Sequence, residues 1–159
     1  METSSTSDYL RIEASAVKLL AAFGATREGA VLGEIARDSL QPRDEDYAQI
    51  FVPEAVEIAQ KGYKELWAES PVPQPQPGQT EILIALGRAE ELSSESGIAE
   101  VFPGGYQSIG HYLLPDKVWL TWKYVKPGET SGMTYDGLVW LEERFAWFPK
   151  PWKVLSPLL

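Results

Sequence analysis

Over the first seventy positions, apolar residues recur at three- and four-residue steps, the period of a helix buried on one face. Leu10, Ile12, Ala16, Leu19, Leu20 and Phe23 form one such stripe, with Ser7 or Asp8 placed to cap it and Gly24 to stop it. Val31, Leu32, Ile35 and Ala36 form a second stripe behind Thr26. Pro42 interrupts the pattern, and Asp44, Glu45 and Asp46 then suit the first turn of a short helix through Phe51, where carboxylates meet the positive end of the dipole. Pro53 opens a longer helix at its first position. Val56, Ala59, Tyr63, Leu66 and Trp67 line one face of it, and Glu54, Glu57, Lys61, Lys64 and Glu65 line the other.

The period shortens after residue 78. Between the two regimes lies Ser70-Pro-Val-Pro-Gln-Pro-Gln-Pro-Gly78, whose alternating prolines favour an extended, stiff connector. Glu81–Leu86 is a compact apolar run and reads as a strand. Residues 88–97 fit either a short helix or an excursion. Pro103-Gly104-Gly105 suits a type II turn. Strands are predicted at Tyr106–Leu113, Lys117–Val125, Met133–Leu141 and Arg144–Phe148, joined by turns at Pro115-Asp116, 126–132 and Glu142-Glu143. Sequential hairpins make an antiparallel meander. The whole predicts an α+β fold in one domain, 1–159. It has a helical half at 1–70 with three to four helices, a connector at 71–78 and a curved sheet of four to five strands at 79–159.

Composition narrows the function. The chain carries 23 acidic against 14 basic residues and no cysteine. Disulfides, thiol catalysis and thiolate metal sites are excluded. The excess is uneven: residues 1–100 hold 18 acidic and 8 basic side chains, residues 101–159 hold 5 and 6. That surface repels phosphate backbones and anionic bilayers, so neither nucleic acid nor membrane is an expected partner. A basic protein or a small ligand is compatible with it, and Asp44, Glu45 and Asp46 are the candidate partner-binding cluster. No basic and apolar leader opens the chain and no apolar run approaches ~20 residues, which sets cytoplasmic residence as the expectation.

Chemistry is sparse. No nucleophile elbow, phosphate loop or dinucleotide fingerprint occurs, so no cofactor is expected, and with one histidine no metal site is expected either. His111 is the one side chain suited to proton transfer near neutrality. Placed on a strand, it shares a face with Ile109 and Leu113, while Asp136 alternates with Leu138 and Trp140. His111 and Asp136, with Tyr135 and the neighbouring Tyr106 and Tyr112, are the candidate acid–base set. The competing account makes His111 structural and Asp136-Gly137 a bulge. Arg144 is placed to stack on an aromatic ring.

Two blocks carry a resemblance. Gly132-Met-Thr-Tyr-Asp-Gly-Leu-Val139, and Arg144-Phe-Ala-Trp-Phe-Pro-Lys-Pro-Trp152 with Lys153-Val-Leu155, resemble the C-terminal block of uncharacterised bacterial proteins. Phe102-Pro-Gly-Gly-Tyr106 belongs to the same pattern. Helices ahead of a curled antiparallel sheet are also similar to NTF2-like (cystatin-like) domains, an analogy of fold. Such a resemblance implies a pocket enzyme or small-ligand carrier using His111 and Asp136. The other two expectations are a binding domain without catalytic activity and an acidic immunity or antitoxin protein that meets a basic partner. Within the second block, Trp147, Phe148 and Trp152 are expected to act as an aromatic clamp. Pro149 and Pro151 would hold the tail extended, with Lys150 and Lys153 outward and Leu155 inward.

Overall fold

The computed structural model describes residues 2–93 and 97–159, the side chains of residues 2–7 and of residue 98 excepted. Four helices build the N-terminal half: α1 (Glu2–Ala21), α2 (Gly29–Ser39), α3 (Tyr47–Ile50) and α4 (Pro53–Trp67). In α1 the four-residue step Ile12, Ala16, Leu20 is buried, and a 3-10 turn over Ala22–Gly24 carries Phe23 into the same core. The helix does not start at Asp8. No proline or glycine interrupts residues 2–8, so α1 continues to Glu2, and Asp8 is an exposed residue facing Arg11 one turn on at 3.9 Å. Helix α2 begins three residues after Thr26, whose hydroxyl accepts the Glu28 N–H at 3.2 Å. Pro53 occupies the first turn of α4, and Ala55, Ala59, Tyr63 and Trp67 form its buried face.

The connector has no regular structure, but it is packed rather than free. Its carbonyls at Gln74 and Pro75 accept the Tyr135 hydroxyl at 3.1 Å and the Arg27 guanidinium at 2.7 Å. Beyond it four antiparallel strands pair in chain order: β1 (Glu81–Arg88), β2 (Val118–Val125), β3 (Thr134–Trp140) and β4 (Phe145–Trp147). The sheet is a meander, with β1 set directly beside β2.

The fifth predicted strand is absent. Tyr106–Leu113 forms helix α7 (Gly105–Ile109) and a 3-10 turn over Gly110–Tyr112, and Leu113 makes a lone bridge to Phe51. Tyr106, Ile109 and Leu113 are the buried positions, spaced three and four apart. A short apolar segment satisfies both periods, and here the helical one wins. The turn ahead of it is not type II, because Gly104 is right-handed at φ −61. Residues 89–92 and 97–101 form helices α5 (Ala89–Leu92) and α6 (Gly97–Val101); the part of the 88–97 prediction at 94–96 lies outside the described residues.

Both faces of β2 are covered, and Trp119 and Trp122 are each at most 1% exposed. On one face Trp122 stacks on Tyr135, and the Tyr124 hydroxyl donates to the Leu20 carbonyl of α1 at 2.7 Å. On the other, Trp119 meets Tyr106 of α7 and Phe148 of the C-terminal segment. Phe148 in turn receives the edges of Tyr47, Phe51 and Tyr63, which fastens α3 and α4 to the end of the sheet.

Candidate functional site

The densest polar arrangement lies where β3 meets the C-terminal segment. Thr121 opposes Asp136 and Leu120 opposes Leu138, so Gly137 is the extra residue of a β-bulge. Its φ of +86 is a left-handed conformation that favours glycine, and a Cβ there would fall 2.0 Å from the Phe148 carbonyl oxygen. The bulge brings the chain end close: the Phe148 N–H donates to the Gly137 carbonyl at 2.7 Å. The Trp147 indole donates to the Asp136 carbonyl at 2.8 Å.

The Asp136 side chain, 3% exposed, points into this junction. One of its oxygens accepts both the Tyr106 hydroxyl and the Lys150 backbone N–H, each at 2.9 Å. Burial raises its pKa, while those two donors and the Lys150 charge pull it back down. Burial and the neighbouring carboxylate push Tyr106 well above the ordinary phenol range, so the proton stays on the phenol. Tyr63 closes the group by donating to the Pro149 carbonyl at 3.1 Å.

The predicted acid–base set is not assembled. His111 is exposed on the 3-10 turn with its ring against Tyr112, 4.0 Å between centroids. It does not face inward from a strand, because the strand that would have carried it is helical. Tyr135 alternates with Asp136 on β3, lies over Trp122, and spends its hydroxyl on the connector. Tyr106 is the partner of Asp136. It belongs to the predicted set, but it comes from helix α7 rather than from the predicted strand.

The other named residues fall as follows. Trp147 and Phe148 are buried and Trp152 is half-buried. The tail is not extended: Lys150 turns left-handed at φ 47, Pro151 takes the first position of helix α8 (Pro151–Val154), and Leu155 is buried. That turn sets the Trp152 ring over Gly105, where an added Cβ would lie 2.3 Å from the indole, and against Tyr106 at 5.2 Å. Lys150 and Lys153 are exposed.

The acidic trio does not present three carboxylates. Asp46 is fully buried, accepting the Arg43 N–H at 2.7 Å and an N–H of the Arg144 guanidinium. It is a cap and a counter-ion, which leaves Asp44 and Glu45 on the surface. Arg144 is accordingly an ion-pair residue rather than a stacking one, while Arg11 lies above the Trp140 ring at 6.0 Å. Among the described residues no three His, Asp or Glu side chains gather into a metal-binding group. No family model, curated protein or solved structure matches the chain.

Proposed function

We propose that the protein is a binding domain without catalytic activity that engages a basic protein partner through its acidic helical surface. The observation that carries this is the placement of the carboxylates. Asp136 and Asp46, the two buried ones among the described residues, are both held in internal bonds that fasten one element to another. The remaining acidity of the helical half faces water, as with Glu34 on α2 and Glu54, Glu57 and Glu65 on α4. Such a surface steers a cationic partner and loses its pull beyond a Debye length of ~8 Å at physiological salt. An acid–base reaction using His111 and Asp136 has less support, because the first is exposed and the second is already bonded to Tyr106.

The test compares the parent with a variant carrying Glu54→Gln, Glu57→Gln and Glu65→Gln. A basic protein captured by the parent should be lost from this folded variant and weakened when salt is raised from low to physiological. A variant altered only on the sheet, at Leu83 and Lys123, should retain it. Capture indifferent to salt and to the three glutamates would defeat the proposal. So would a substrate whose turnover disappears in folded Asp136→Asn protein.

A further inference from the structure

Three of the six arginines in the chain line one open cavity of about 540 Å³. Arg37 comes from the last turn of α2, Arg43 from the loop after it, and Arg144 from the bend just before β4. Ser39 adds a hydroxyl, and Leu19 and Phe145 give the cavity an apolar side. We propose that this cavity binds a small organic anion, its phosphate or carboxylate oxygens on the arginines and its apolar body against Leu19 and Phe145. The proposal goes beyond the partner surface described above and places a site of opposite sign where the helical half meets the sheet half.

Guanidinium groups bind such oxygens in paired, planar contacts, and cavities of this volume suit small molecules. Arg144 is preset: the fully buried Asp46 holds one of its nitrogens, and the side chain is 29% exposed. A fixed fork loses less entropy on binding than a free one. Arg37 and Arg43 are exposed and have no carboxylate within ion-pair distance among the described residues. Asp38 also lines the cavity and reduces its positive charge, so the site suits one anionic group rather than a polyanion. A cation near the C-terminus of α2 also answers the helix dipole. That accounts for Arg37 but not for Arg144, which arrives from the bend before β4, 98 residues beyond Asp46.

Phenyl phosphate, benzoate, inorganic phosphate and benzyl alcohol are titrated into the full chain by calorimetry. Phenyl phosphate or benzoate should bind saturably and inorganic phosphate more weakly, while benzyl alcohol should show no binding. Preference between the first two identifies the head group. Arg37→Gln and Arg43→Gln, both at exposed positions that leave the fold intact, should each weaken binding about tenfold, the order expected for one charge-assisted hydrogen bond. Arg144→Lys keeps a charge for Asp46 and should weaken it as well. No saturable binding of either aromatic anion, or binding unchanged in both glutamine variants, overturns the proposal.

Discussion

Asp136 shows how one residue can be polar, buried and structural together. Its carboxylate fastens α7 to the C-terminal segment through two donors on one oxygen. Because desolvation raises its pKa above 3.8, the native state holds the proton more tightly than the unfolded chain does. The stability from this site is therefore fully present below the unfolded pKa and declines as pH rises through the higher native one. Asp136→Asn keeps an oxygen that accepts both donors but removes the titration. The urea midpoint of the parent should therefore fall relative to that of the variant as pH rises from below 3.8 through the native value, and the difference should then stay flat. A parent that gains on the variant over that range would mean the ionised form stabilises the fold and the direction assigned to the pKa is reversed.

Among the elements, α8 departs most clearly from its prediction. Two prolines suggested an extended tail, yet proline is at ease in the first turn of a helix, and Pro151 sits there. The left-handed Lys150 supplies the corner, which local sequence does not announce. Similar reasoning sorts the rest of the fold. β1, β2 and β3 were legible because their apolar residues run together or alternate through seven or eight positions. The three-to-five-residue elements from 89 to 112 carry too few positions to fix a period, and Tyr106 was misplaced with them. In the candidate site, Asp136 and the Gly137 bulge could be read from an Asp-Gly pair, whereas the Tyr106 partnership depends on contact across 30 residues. The contact between α8 and α7 is open to a direct measurement. Trp152 is only half-buried, so Trp152→Ala should cost about 1.5–2.5 kcal/mol, less than the ~3–5 typical of a core tryptophan. Gly105→Ala should also destabilise, since the new methyl meets the indole. In the Trp152→Ala background that obstacle is gone, and alanine in α7 should be neutral or stabilising by up to ~1 kcal/mol. Urea midpoints of the four proteins check this; additive losses would place the two residues out of contact.

At the scale of the molecule, the core is bound together by phenols. Tyr47, Tyr63, Tyr106 and Tyr124 are each at most 3% exposed, and they come from α3, α4, α7 and β2. Their hydroxyls at Tyr63, Tyr106 and Tyr124 tie separate elements: to the Pro149 carbonyl, to Asp136 and to the Leu20 carbonyl. Burial raises all four pKa values, Tyr47 to about 12 and the other three well above the ordinary phenol range. An unfolded tyrosine ionises near 10, so the stability tied to these groups is intact below that pH and is lost as pH climbs toward the native values. Each group removes about 1.4 kcal/mol per pH unit while pH lies between its unfolded and native values. Against a total of ~5–15 kcal/mol, losses from several such groups at once suffice to unfold the chain above the ordinary phenol range. The excess of nine negative charges pushes the same way, because like charges repel in the compact state. Alkaline titration followed by phenolate absorbance and far-ultraviolet circular dichroism should therefore show two stages. A minority of phenols should ionise with the helical signal intact, and the buried four should ionise together with its collapse. If all seven tyrosines titrate smoothly around pH 10 while the helical signal persists, the phenols are not sealed in the core and the packing of α3, α4 and α7 against the sheet is looser than the structure has it.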